Sequence, residues 1–195
     1  MRGGFATANL AIRREWFDRL GGFDESINYK GVGIGEDHDL LARLYELGGK
    51  LKAIPGAIVL HWHRTDLRGL LRQGFLFGLA HALLLRRHGK KRVLINAGGK
   101  EFIISCPFRV WLDLDGLDKK VVLLLMLAFV HPTGLLLIMG YLLWQTKKMG
   151  QRLQRKGFKS SLRCNCAMVL LLFCKSGAMT IGRLRGSLSQ RVWCI

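Results

Sequence analysis

Hydrophobic residues recur at helical spacing in three stretches of the first half of the chain. The spacing i, i+3, i+4 places the apolar side chains of each stretch on one helical face. Glycine pairs end the first two helices, and Thr65 or Asp66 caps the third. The predicted helices are RREWFDRL before Gly21, a segment from Asp39 to Gly48, and LRGLLRQGFLFGLAHALLLRRHG from Leu67.

Short apolar runs between these helices predict strands. FATANLAI (5–12) and LKAIPGAIVLHWH (51–63) lack helical periodicity, and Pro55-Gly56 interrupts the second run. Residues 24–36 are rich in glycine and have no period, which predicts a loop of the kind that carries binding groups. Strands and helices together favour an α/β fold for residues 1–64.

Two apolar segments dominate the second half of the chain. Residues 121–144 are long enough to span a bilayer core of about 20 residues. His131-Pro132-Thr133-Gly134 divides this segment, so a re-entrant hairpin competes with a simple span. Residues 164–182 are the weaker candidate because Lys175 lies inside them. The helix from Leu67 has leucines on one face and arginines at 68, 72, 86 and 87, a pattern typical of an interfacial helix.

Charge and hydrophobicity together favour a membrane-associated protein. The 195 residues include 31 Lys and Arg against 13 Asp and Glu, a net charge of +18, and yet 50% are hydrophobic. Membrane lipids are therefore the expected partner, and the positive-inside rule places the basic segments on the cytoplasmic side. The basic residues flank apolar runs and do not interleave with aromatics, which argues against nucleic acid as a partner.

The five cysteines cluster late in the chain. Their odd number and spacing form neither a disulfide framework nor a paired zinc motif. This usage is typical of reduced thiols in a protein that faces the cytoplasm.

Three carboxylates mark the start of the second helix, in GEDHDL: Glu36, Asp37 and Asp39. Unsatisfied amides and the helix dipole stabilise acids at a helix N-terminus, so capping accounts for such residues without any further role. A carboxylate on the lip of a glycine-rich loop can also take a proton from a substrate hydroxyl. The residues alone leave both interpretations open.

Two histidines end the second predicted strand. His61 and His63 are two residues apart, so on a strand both imidazoles point to the same side. Neutral imidazole is a common metal ligand, and acids and histidines on neighbouring elements can hold a divalent ion. A strand-end histidine is otherwise structural or solvated. A metal hydrolase built on Asp37 and the two histidines lacks an evident nucleophile.

The order of these motifs resembles family-two glycosyltransferases, which are inverting enzymes of the GT-A type. The resemblance lies in ATANLAIRREWFDRLGGFDE and GEDHDLLARLYELGGKLKAIPGAIVLHWHR, and it covers residues 5–88. It implies that residues 1–64 are the second half of a partial, Rossmann-like GT-A catalytic domain. An amphipathic interfacial helix and connecting region (65–118) and a membrane-associated region (119–195) with transmembrane or re-entrant helices would follow.

The resemblance also implies roles for individual residues. Asp37 matches the family's general base, which deprotonates the acceptor hydroxyl. Glu36 and Asp39 match neighbours that shape the acceptor pocket and hold the helix start, and Asn9 lies where the family's strand lines the acceptor side. The implied reaction transfers a sugar, with inversion, from a nucleotide-sugar donor to a lipid-linked or polysaccharide acceptor.

The resemblance also implies a divalent metal ion and a nucleotide-binding half of the domain. His61 matches a histidine that joins the metal shell in some members, and His63 is the second choice. A divalent metal, Mn or Mg, would neutralise the departing diphosphate. The family's nucleotide-binding half with its Asp-x-Asp motif does not precede these residues, and DLD at 113–115 reads as a polar turn.

We therefore expect a fragment that is inactive alone and that needs a separate N-terminal nucleotide-binding half as its partner. The alternative is a non-catalytic membrane module that serves in anchoring or in partner binding.

Overall fold

The computed structural model describes residues 7–60, 62 and 65–195, and within them the chain is mixed α/β. Its helices are α1 (Arg14–Leu20), α2 (Glu36–Glu46), α3 (Leu67–His88), α4 (Leu117–Val130), α5 (Thr133–Arg155) and α6 (Leu162–Gln190). Its strands are β1 (Asn28–Tyr29), β2 (Val32–Gly33), β3 (Arg92–Ala97), β4 (Lys100–Ser105), β5 (Arg109–Asp113) and β6 (Trp193–Cys194). The predicted α/β class is confirmed, and a partial glycosyltransferase domain is consistent with it.

The three predicted helices of the first half are confirmed, and local chemistry sets their ends. α1 ends at Gly21, which has a left-handed φ of 76°. Asp66 caps α3, because its carboxylate accepts a hydrogen bond from the Gly69 amide at 2.6 Å. α2 begins at Glu36, three residues before the predicted start, directly after the turn at Gly35 with φ 79°.

The strands predicted in the first 64 residues are wrong where the structure describes them. Residues 7–9 form a 3₁₀ turn, and residues 51–60 contain no strand. Ile58 and Leu60 are 80% and 95% exposed, so this segment buries no apolar face that would hold it in a sheet. The described strands of this region are the short antiparallel pair β1 and β2.

A four-stranded sheet lies partly where we predicted a connecting region. Its strand order is β4-β3-β5-β6. β3 and β4 form an antiparallel hairpin, whereas β5 runs parallel to β3, and β6 runs parallel to β5 with Val110 opposite Trp193. The prediction of a helix and connecting region over 65–118 was therefore incomplete, and the end of the chain returns to complete this sheet.

Helices α3 and α6 pack closely because small residues lie at their contact. A Cβ on Gly78 would lie 2.1 Å from the Met179 carbonyl oxygen, and one on Gly182 would lie 2.1 Å from that of Phe75. Small residues at every fourth position are typical of helix pairs in membranes. α3 is thus not a solitary interfacial helix. The small residues are Gly74, Gly78 and Ala82 on α3, and Ala178, Gly182 and Gly186 on α6.

The strongest apolar segment of the sequence is not a single helix. His131 and Pro132 separate α4 from α5, and the two helices pack against each other, as the hairpin alternative requires. α6, predicted as the weaker candidate, is the one described helix that is long and apolar enough to cross a membrane. Its length and composition are a weak indication of membrane association.

Candidate active site at the start of helix α2

The start of α2 places the three candidate carboxylates in one helical turn but in different surroundings. Glu36 and Asp39 are three residues apart and share a face of the helix, whereas Asp37 points away from that face. A Cβ on Gly33 would lie 2.9 Å from a Glu36 carboxylate oxygen, so β2 passes directly against Glu36. The roles of the three acids therefore separate by position.

Asp39 is buried, and both of its carboxylate oxygens have partners. The residue is 1% exposed. Arg43 Nε donates to its Oδ2 at 2.8 Å, His88 Nε2 lies 2.9 Å from its Oδ1, and Arg87 lies 3.5 Å from the same oxygen. A buried carboxylate needs such partners to offset its lost hydration. The structure places Asp39 in the interior, where it holds the start of α2, and its part in acceptor binding stays a prediction.

The same network holds the Gly-Gly-Phe-Asp-Glu turn that precedes the glycine-rich loop. Arg43 donates to the Gly22 carbonyl oxygen at 2.9 Å. Arg87 forms an ion pair with Asp24 and donates to Ser26 Oγ at 2.9 Å. The hydrogen bond from Arg87 holds the pKa of Asp24 far below its usual range. Side chains of α2 and α3 thus connect the two motifs that carry the resemblance.

Asp37 is partly buried and lies beside His38. Its side chain is 18% exposed, and its Oδ1 accepts a hydrogen bond from the His38 amide at 2.8 Å and lies 2.8 Å from the imidazole Nδ1. The hydrogen bond to Asp37 raises the pKa of His38 in spite of its partial burial. A partly exposed carboxylate paired with an imidazole can hold and move a proton near neutral pH.

Asn9 connects the 3₁₀ turn at residues 7–9 to residues 51–60, the segment that precedes the two candidate metal-binding histidines. Asn9 is exposed, and its side-chain amide donates to the Ala57 carbonyl oxygen at 2.8 Å. His61 and His63 lie outside the described residues, so their role as metal ligands stays a prediction. Among residues 7–60, 62 and 65–195, no three His, Cys, Asp or Glu side chains are grouped so as to hold a metal ion.

Sequence reasoning missed a buried polar cluster between α3, α6 and β5. Arg183 is 2% exposed, donates to His81 Nδ1 at 3.1 Å and to Asp113 Oδ2 at 2.8 Å, and lies over the Trp111 ring. Burial and the guanidinium lower the pKa of His81 to about 3, so this imidazole is a neutral acceptor. The partners are 70 and 102 positions from Arg183, so no local pattern could have revealed the cluster.

The DLD sequence at 113–115 belongs to this structural framework. Asp113 pairs with Arg183, and Asp115 accepts hydrogen bonds from the amides of Gly98 and Gly99 at 2.8 and 3.0 Å. Those amide bonds, together with Lys120, hold the pKa of Asp115 below its usual range. Asp113 ends β5, and Leu114 and Asp115 form the predicted turn.

Two comparisons find similarity between parts of this chain and known glycosyltransferases. A family model described as the N-terminal domain of galactosyltransferase matches residues 3–64. The pre-mycofactocin glycosyltransferase of Mycobacterium tuberculosis, in strains CDC 1551 / Oshkosh and ATCC 25618 / H37Rv, is 38% identical over 94 residues. That alignment covers 48% of this chain but 19% of either relative, so the chain spans about a fifth of the length of the curated relatives it matches. No solved structure matches the chain. These similarities support a glycosyltransferase and, in general terms, the transfer of a sugar.

Proposed function

We propose that this chain supplies the acceptor side of a GT-A, inverting, family-two glycosyltransferase, with Asp37 as its general base. The observation that carries the proposal is the different placement of the acids in the first turn of α2. Asp37 keeps part of its side chain at the surface beside His38, whereas Asp39 is committed to buried ion pairs. Glu36 and Asn9 remain the proposed acceptor contacts, and Asp39 supports them from the interior.

The proposed reaction is a single displacement. Asp37 takes the proton of the acceptor hydroxyl while the hydroxyl oxygen attacks the anomeric carbon, and the bond to the nucleoside diphosphate breaks with inversion. His38 supports the base by holding it in place, because the His38 amide donates to Asp37 Oδ1 at 2.8 Å and the imidazole Nδ1 lies 2.8 Å from the same oxygen.

A divalent cation, Mn or Mg, would neutralise charge on the departing diphosphate. The described residues contain no complete set of donors for it. We propose His61 as one of its ligands, with His63 as the second choice, and no step above depends on that ion.

The proposed donor is a nucleotide sugar, and the proposed acceptor is lipid-linked or a polysaccharide. We propose a membrane location with the catalytic portion on the cytoplasmic side, which suits acceptors of this kind. Thirteen Lys and Arg residues follow Asp118 without any acid, and α6 has the length and composition of a span. The similarity to the pre-mycofactocin glycosyltransferase makes pre-mycofactocin a second acceptor to test.

We further propose that a separate nucleotide-binding half completes the enzyme. Within the described part of the chain, the Asp-x-Asp sequence outside GEDHDL is DLD at 113–115, and its carboxylates are committed to Arg183 and to a turn. A non-catalytic membrane module is the alternative.

The test uses the full chain in detergent with a panel of nucleotide sugars, Mn and a lipid-linked or polysaccharide acceptor. Release of nucleoside diphosphate is measured alone and with the N-terminal half of the Mycobacterium tuberculosis relative. We expect release only with the added half, and we expect Asp37→Asn to lower its rate about 10²–10⁴-fold, the usual contribution of a general base. Asp18→Asn, on the exposed face of α1, is the control. Full activity of the Asp37 variant would disprove its role, and no release in any mixture would favour the non-catalytic module.

A further inference from the structure

An apolar groove of about 680 Å³ runs between the N-terminal half of α3 and the middle of α6. Leu67 and Ile181 on its walls are 52% and 61% exposed, so the described structure leaves this apolar surface open. Exposed apolar surface of this kind indicates a binding surface. The groove is lined by Leu67, Arg68, Leu71, Arg72, Phe75, Ala178 and Ile181.

Two arginines give the groove a charged rim. Arg68 and Arg72 are one helical turn apart on α3, and both are exposed. Neither forms an ion pair within the part of the chain that the structure describes, and the carboxylate of Asp66 caps the helix instead. Like charges at i and i+4 repel each other, and an anion between them removes that repulsion. Guanidinium groups also bind phosphate oxygens with paired hydrogen bonds.

The other wall of the groove belongs to the helix that can cross a membrane. Ala178 and Ile181 lie on α6. A ligand that satisfies both parts of the groove needs an anionic head and a hydrocarbon tail. A free phosphate would leave the apolar walls in water, and an apolar protein helix would leave the arginines without a partner.

We propose that this groove binds one anionic glycerophospholipid. Its phosphate lies between Arg68 and Arg72, and an acyl chain lies against Leu71, Phe75 and Ile181. This lipid is a bound membrane component and not the sugar acceptor, so the proposal does not depend on glycosyl transfer. It adds a defined lipid site to the general attraction of a basic protein to the membrane.

Native mass spectrometry tests the site. Phosphatidylglycerol or phosphatidylcholine is added to the full chain in detergent, and the lipid that remains bound after release from the detergent is measured. We expect one retained phosphatidylglycerol and little phosphatidylcholine. The double variant Arg68→Gln/Arg72→Gln should lower phosphatidylglycerol occupancy about tenfold or more, since a hydrogen bond to a charged group contributes about 1.5–3 kcal/mol and 1.4 kcal/mol is tenfold. Ile181→Trp should do the same by filling the groove while both arginines remain.

The matched control is Arg152→Gln/Arg155→Gln, which removes two exposed arginines from the last turn of α5. It lowers the net charge equally and should leave lipid retention unchanged. Equal losses in both double variants would show attraction to basic surface in general and would overturn the proposal. If glycerol phosphate alone displaced the lipid, the groove would be a phosphate site and the proposal would be overturned. A dimer that only Ile181→Trp abolishes would show that a second copy of the chain fills the groove, which would overturn the proposal as well.

Discussion

His88 Nε2 lies 2.9 Å from Asp39 Oδ1, and this contact joins residues 49 positions apart. The other ring nitrogen of His88 lies 2.9 Å from Glu46 Oε1, so one imidazole contacts both ends of α2. The C-terminal end of α3 thereby fixes the helix whose first turn carries Asp37. A helix predicted to lie at the membrane interface is therefore also part of the scaffold of the candidate active site.

Replacement of Asp39 by Asn should strongly destabilise the fold. Arg43, Arg87 and His88 would lose a carboxylate partner that is 1% exposed, and breaking a buried ion pair costs about 3–5 kcal/mol. Asp18→Asn is the matched control, because Asp18 also pairs with an arginine four residues away but is 56% exposed. The control should change the free energy of unfolding by about 0–1 kcal/mol. Urea unfolding in detergent measures both, and equal losses would contradict the structural role of Asp39.

The imidazole of His38 should titrate above its ordinary pKa of 6.5, because Asp37 accepts its hydrogen bond. Because the folded state binds this proton more tightly than the unfolded state, protonated His38 stabilises the fold. The contribution is fully present below pH 6.5 and is lost as the pH rises through the folded pKa. Asp37→Asn removes the charge and should lower the His38 pKa in an NMR titration. The exposed His131 serves as the internal control. An unchanged His38 titration in the variant would show that the contact with Asp37 does not set its protonation.

Close packing of α3 on α6 should make Gly78→Ala destabilising. Its Cβ would lie 2.1 Å from the Met179 carbonyl oxygen, so the helices would have to separate, and such overpacking costs about 1–3 kcal/mol. Gly177→Ala on α6 is the control, because a Cβ there meets no atom within 4 Å. It should stabilise the helix by up to about 1 kcal/mol through helix propensity. Thermal unfolding of the two variants should therefore shift in opposite directions, and equal shifts would contradict the packing described.

Local chemistry explains why the helices near the candidate site were predictable. Gly21 can adopt the left-handed conformation that ends α1, and Asp66 supplies the cap of α3 within three residues of the amide it binds. Such signals lie within one turn of the element they define. The acidic cluster at the start of α2 was visible for the same reason.

The sheet and the separate roles of the acids depend on distant partners, which a single sequence does not reveal. β6 has two residues and is held by pairing with β5, where Trp193 lies opposite Val110. Asp39 and Arg43 have a recognisable spacing, but Arg87 and His88 complete the buried site from another helix. The sequence therefore predicts an acidic cluster without indicating which acid stays at the surface.

The buried imidazole of His81 should make the protein sensitive to acid. Its pKa is about 3 in the folded state against 6.5 for a free imidazole, so below pH 6.5 the unfolded chain binds a proton that the folded chain excludes. Stability should consequently fall as the pH drops from 6.5 towards 3. His81→Asn keeps an acceptor oxygen for Arg183 Nε and cannot titrate, so its urea midpoint should change less over this interval. His131→Asn at an exposed position should follow the parent protein. Parallel curves for the parent and His81→Asn would show that proton exclusion at His81 does not limit acid stability.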